Sequence, residues 1–245
     1  MALVAEERRF GSEHVGNVLS RAGNDEPHEV NAAPKIEGRL QNKMRNTTRL
    51  TQFCRTVELV VAQTKGAESA AGPISHALQN LLSRDDWLKA PWRKADSKIY
   101  QQHPIYIDEA GRFSIVSFVW TPGQATPIHD HGVWGVVGVL CGAEFSQRYR
   151  SGSDGRMEPD GPPRRMEPGD VEILSPSQGD IHRVWNACDD RASISIHVYG
   201  ADIGRLQRHS YLPDGGKRMF VSGYSSTWQA HTPGPASSSC EREGL

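Results

Sequence analysis

Four runs constrain what this chain can fold into: "RFSIVSFVW" (112–120), "WGVVGVL" (134–140), "DVEILS" (170–175) and "SISIHVYG" (193–200). Each is short, rich in β-branched residues and bounded by Gly, Pro, Asp or Asn. The stretches between them, such as "TPGQATP", "GSDGRMEPDGPP" and "SPSQGD", are built from turn residues. Short strands punctuated this way predict an all-β sandwich or a small barrel from about Ile99 onward. No Gly-rich loop opens a helix, so a nucleotide-binding fold is not expected. Ahead of the strands the period changes. Leu50, Phe53, Val57, Val60 and Val61 recur at helical spacing, and so do Ile74, Leu78, Leu81 and Leu82 after "GAESAAGP". Two short helices are expected, each with one buried face and both packed outside the barrel.

The 245 residues divide by character. Residues 1–46 carry charge, Asn and Gly without a sustained apolar period and read as a disordered extension. Residues 47–225 read as one domain, and 226–245 as a disordered Ser/Pro/Gly tail. Lys and Arg number 28 against 29 Asp and Glu, a net charge of −1. That balance leaves no basic footprint for nucleic acid or an anionic membrane. No apolar run approaches a membrane span, and the first residues lack the apolar core of a signal peptide. Cys54, Cys141, Cys188 and Cys240 show no paired spacing and read as free thiols of a reducing compartment. The expected location is the cytoplasm, and the expected state is a monomer.

Chemistry concentrates in "TPIHDHGVWG" (126–135). Alternate residues of a strand share a face, so His129 and His131 are expected on one side with Asp130 pointing away. Two imidazoles on a rigid strand hold one metal from one side. A third histidine, His182, stands in "PSQGDIHRVWN" (176–186). Gly123, His129, His131 and Gly142 match the first motif of the cupin superfamily. Pro176, Gly179, His182 and Asn186 match its second, with one extra residue between Gly169 and Pro176. The resemblance implies a mainly β chain folded as a double-stranded β-helix, a jelly-roll barrel with a metal at its mouth. Many cupins add a glutamate ligand a few residues after the histidine pair. Here that stretch reads "GVWGVV" and offers no carboxylate. Three neutral imidazoles suit Fe, Zn, Cu or Ni and leave coordination positions open.

In "SISIHVYG", Ser195, His197 and Tyr199 fall at i, i+2 and i+4 and face one side, with Ile194, Ile196 and Val198 on the other. Inside a small barrel such polar residues need partners, and these three can supply one another. Together with "HDHGVWG", "GDIHRVWN" and "FVSGYS", this line resembles the thiol dioxygenases, the cysteine dioxygenase-like cupins, from about Arg49 to Tyr224. The resemblance implies one Fe(2+) per chain on His129, His131 and His182, with Ser195, His197 and Tyr199 beside it. It also implies a small thiol and O2 as reactants and a sulfinic acid as product.

The mammalian-type enzyme has a cysteine after the histidine pair that is cross-linked to the tyrosine. Here the region reads Trp134, Gly135, Val136, and Cys141 lies further along, so Tyr199 is expected unmodified. That enzyme also holds the substrate carboxylate with an arginine where "YQQH" here places Gln102. Both departures resemble the bacterial 3-mercaptopropionate dioxygenases. That resemblance assigns the carboxylate to Arg208, with Arg205 as a competitor. Trp134 and Trp185 are expected in the barrel wall. Three other functions stay open at this point: a cysteine dioxygenase, a cupin isomerase using Zn or Mn, and a non-catalytic metal-binding cupin.

Overall fold

The computed structural model describes residues 49–227; the expectations for residues 1–46 and for nearly all of the tail lie outside them. The first helix, α1, covers 49–63 and buries Phe53 and Val57. The second, α2 (Ala71–Leu82), buries Ile74, Leu78, Leu81 and Leu82. Pro73 sits in its first turn, where the missing N–H has no intrahelical partner to lose. Among the described residues twelve strands follow, in two antiparallel sheets.

The first sheet is ordered β1-β2-β10-β4-β8. Its strands are β1 (Gln101–Ile107), β2 (Ser114–Trp120), β4 (Gly135–Cys141), β8 (Val171–Leu174) and β10 (Ser193–Tyr199). The second is ordered β12-β11-β3-β9-β5-β6, with β7 paired to β5. It contains β3 (Ile128–His129), β5 (Glu144–Ser151), β6 (Met157–Pro159), β7 (Arg164–Met166), β9 (His182–Asn186), β11 (Arg208–Tyr211) and β12 (Lys217–Phe220). The sheet orders jump between strands distant in sequence, as they do in a jelly-roll barrel, and the chain is mainly β with helices outside.

β2 and β10 are buried along their whole length because both of their faces are covered. The outer face meets the helices. Ile194, Ile196 and Val198 of β10 join Phe53, Ile74 and Leu78 in one apolar core. Gly138 of β4 lets α2 come close. A Cβ there would lie 2.4 Å from Leu82 Cδ1 and 3.1 Å from Leu78 Cδ2. The inner face of β10 looks into the barrel, where Tyr199 packs with Val116, Trp120 and Val184.

Candidate metal centre and its pocket

His129, His131 and His182 come together at the barrel mouth. Their ring centroids stand 4.8, 4.9 and 4.9 Å apart, and one nitrogen from each lies within 4.8 Å of the others. β3 and β9 deliver two of them, in register as His129↔His182. The third is held differently from the sequence expectation. β3 ends at His129, and His131 lies in the turn beyond it. Asp180 holds that turn by accepting the N–H groups of His131 (2.8 Å) and Gly132 (3.0 Å). Gly132 takes φ +65°, which glycine adopts without strain. Asp130 does point away, and its carboxylate accepts from the His209 backbone and the Tyr211 hydroxyl.

Each imidazole is anchored through Nδ1. His129 donates to the Pro127 carbonyl (3.1 Å) and His131 to the Asp180 carbonyl (3.0 Å), while His182 Nδ1 meets Ser146 Oγ at 3.3 Å. A carbonyl can only accept, so the proton of His129 and of His131 sits on Nδ1 and each Nε2 presents a lone pair. His131 Nε2 is buried with no hydrogen-bond partner. A buried orphan acceptor with a nitrogen of two further imidazoles within 4.8 Å fits a divalent metal, and outer partners on Nδ1 are what orient metal-binding histidines. Asp180 and Ser146 were missed from the sequence, although Asp180 stands two residues before His182 and Ser146 alternates with Glu144 along β5.

Burial pushes His129 and His182 down to about 3 and His131 well below its usual range, so all three are neutral at pH 7. In an unfolded chain each titrates near 6.5. The unfolded state therefore binds more protons as pH falls, and stability held above about 6.5 is lost on the way down toward 3. The metal-free protein is expected to lose thermal stability steadily from about pH 7 to about pH 5. Divalent metal added at neutral pH should raise the midpoint. Scanning calorimetry at a series of pH values checks this. A midpoint indifferent to pH in that window contradicts the buried neutral assignment.

Beside the histidines lies a small pocket. Its lining includes Gln102, Phe118, His129, His182, His197, Tyr199 and Arg208. Ser195, His197 and Tyr199 form a continuous line, with Ser195 Oγ to His197 Nε2 at 2.8 Å and His197 Nδ1 to the Tyr199 hydroxyl at 2.7 Å. All three are buried, so this face of β10 does not look at solvent. Phe118 stacks on His197 with centroids 4.0 Å apart and fixes its plane. Tyr199 stacks near His131 at 5.5 Å, and burial pushes its phenol up, so it keeps its proton. Gly135 stands opposite Tyr199 in the register, while Cys141 stands opposite Ile194 at the far end of the strand pair.

Arg208 opens β11 and is 5% exposed. Its Nη2 donates to Ser222 Oγ (2.8 Å), and its guanidinium lies over Phe220 at 4.7 Å. Its Nε has no partner. Arg205 lies apart, 89% exposed at its side chain and 3.6 Å from Asp202. Gln102 is buried on β1 at the same pocket. Trp134 is buried in the helix-side core. Trp185 faces outward from β9, stacked on Phe145 at 5.2 Å.

No protein-family model matches the chain. Among solved structures it is similar to a protein with a double-stranded β-helix domain from Klebsiella pneumoniae, at 16% identity over 45% of this chain and 80% of that one (TM-score 0.37). A cupin superfamily protein from Desulfitobacterium hafniense matches at 13% identity over 44% and 84% (TM-score 0.35). A cupin-like protein from Thermotoga maritima matches at 22% over 43% and 74% (TM-score 0.34). Among the described residues, no helix is long and apolar enough to cross a membrane.

Proposed function

We propose that this chain is a non-haem Fe(II) thiol dioxygenase that converts a small thiol carboxylic acid, 3-mercaptopropionate, to its sulfinic acid. The observation that carries the reading is one pocket where two members of the three-histidine cluster, His129 and His182, meet a hydroxyl on a hydrogen-bonded line and a buried arginine with an unpartnered Nε. A ferrous ion on His129, His131 and His182 would supply the redox-active cation that brings a thiolate and O2 together. The atom balance is R–S⁻ + O2 → R–SO2⁻, so no further reductant is required.

The chain's own residues bind and orient. Arg208 takes the substrate carboxylate, because a buried guanidinium without an acidic partner has donors to give and a planar fork to give them with. Among the described residues, the lining contains no carboxylate to meet an ammonium group. That favours 3-mercaptopropionate over L-cysteine. Cysteamine, which has no carboxylate, is the poorest of the three. Tyr199 presents its hydroxyl to the reacting atoms, and Ser195 and His197 hold it there.

Tyr199→Phe is expected to fold, keep its metal and slow turnover roughly 10- to 100-fold, the scale of one positioned donor. Unchanged turnover at saturating thiol removes Tyr199 from the reaction. The whole reading is tested by metal analysis together with oxygen uptake for the three thiols. Expected are about one iron per chain and the highest kcat/KM for 3-mercaptopropionate. A preference for L-cysteine moves the assignment to a cysteine dioxygenase. Bound metal with no oxygen uptake for any thiol makes the chain a non-catalytic metal-binding cupin.

A further inference from the structure

β5 carries two buried polar side chains two residues apart. Ser146 reaches the metal-site histidine His182. Glu144, 1% exposed, has no part in the site described so far. In register it faces Asn186 of β9 and Met166 of β7. The Asn186 amide is committed to the carbonyls of Trp120 and Arg191. The polar groups around the Glu144 carboxyl are the hydroxyls of Ser195 and Ser193 on β10 and the indole of Trp120 on β2. Cys141 of β4 and Tyr199 of β10 lie within its electrostatic reach. Yet Glu144 Oε1 and Ser193 Oγ each lack a hydrogen bond of normal geometry. A buried carboxyl with unused capacity, at the inner end of a hydrogen-bonded line, calls for a role beyond packing.

We propose that Glu144 is the proton terminus of the Ser195, His197, Tyr199 line, taking up the proton that the substrate thiol loses in the pocket. This rests on the thiol reading above. The line can run in two directions. In both, the Trp120 indole, which can only donate, gives its hydrogen to Ser195 Oγ (3.4 Å). With Glu144 a carboxylate, Ser195 donates to it, His197 Nε2–H donates to Ser195, and Tyr199 donates to His197 Nδ1. Tyr199 then turns a lone pair to the pocket. When the thiol proton joins the Tyr199 oxygen, each hydrogen moves one place. Tyr199's passes to His197 Nδ1, that of His197 Nε2 to Ser195, and that of Ser195 to Glu144.

The balance is R–SH + Glu144–COO⁻ → R–S⁻ + Glu144–COOH. The proton returns to water as the sulfinate leaves. Two hops span 2.8 and 2.7 Å. Burial raises the carboxyl to about 8, close to the roughly 8.5 of a free thiol, so transfer is nearly balanced. The other groups of the pocket do not serve. Arg208 is a cation, Gln102 a neutral amide, Tyr100 a phenol that burial keeps protonated, and the two remaining lining imidazoles, His129 and His182, are assigned to the metal.

The test uses the full-length chain and two spectroscopic signals. Without thiol, the infrared C=O band of a protonated carboxyl should vanish as pH rises through about 8, and should be missing in Glu144→Gln. In the metal-free chain, nitrogen NMR should show His197 moving from Nδ1–H to Nε2–H with the same midpoint. Ser195→Ala should keep the carboxyl band but uncouple His197 from it. Adding 3-mercaptopropionate without oxygen to the iron-loaded chain above that midpoint should make the carboxyl band appear in wild type and not in Glu144→Gln. In turnover, Glu144→Gln should lose the rise of kcat/KM with pH around 8 and fall about 10- to 100-fold. If thiol binds but His197 ignores the titration, or no carboxyl band appears, the Glu144 proposal is overturned and the thiol reading stands. If the linked titration is seen but no thiol binds, the thiol reading falls and Glu144 remains the terminus of the line.

Discussion

His131→Ala is expected to leave purification with most of its iron gone and with thiol oxidation abolished. Two imidazoles then remain of three, and the lost one is the ligand whose Nε2 is buried without any other partner. Loss of an outer partner of a metal ligand costs about 10- to 100-fold in affinity, and loss of the ligand itself costs more. The fold should survive, because the turn holding residue 131 is tied through its backbone to Asp180, which the substitution leaves intact. Circular dichroism checks the fold and elemental analysis the metal. Full iron with full activity contradicts the ligand assignment.

Arg208→Ala carries the second large effect. Its guanidinium is buried against Phe220 and Ser222, and among the described residues no acidic side chain lines the pocket. Removing it should cost about 2 to 4 kcal/mol in kcat/KM for 3-mercaptopropionate, roughly 30- to 800-fold, the range for breaking a desolvated charged hydrogen bond. KM should rise with it. Cysteamine has nothing for Arg208 to hold, so its kcat/KM should barely change. Equal losses for both thiols overturn the carboxylate role and leave the metal assignment untouched. Arg205, exposed and beside Asp202, should be replaceable without effect.

Three of the four strands legible in the sequence, β2, β4 and β10, are buried on both faces, while the fourth, β8, is covered on one face only. β2 and β4 read as near-continuous apolar runs, and β10 as apolar residues alternating with a polar line, because helices cover one side and the pocket or barrel interior the other. β5, "EFSQRYRS", was not legible as a strand. Its inward positions hold the polar Glu144 and Ser146, so its pattern carries no hydrophobic alternation. The histidine pair was legible by spacing, but what holds His131 was not. Strand alternation predicted a shared face, and the chain instead places His131 in a turn held by a carboxylate 49 residues away. The line on β10 could be read because all three members stand on one strand. Glu144 and Trp120 come to it from β5 and β2, and only the tertiary pairing brings them there. Arg208 could not be separated from Arg205 by sequence, since burial decides between them and nothing local to "GRLQRHSY" encodes it.

The most direct test of the thiol dioxygenase reading is isotopic. The iron-loaded chain is incubated with 3-mercaptopropionate under ¹⁸O2 in ordinary water, and the product is weighed by mass spectrometry. The predicted product is a sulfinic acid carrying two labelled oxygen atoms. A disulfide, or a sulfinic acid whose oxygens come from water, contradicts the proposed function.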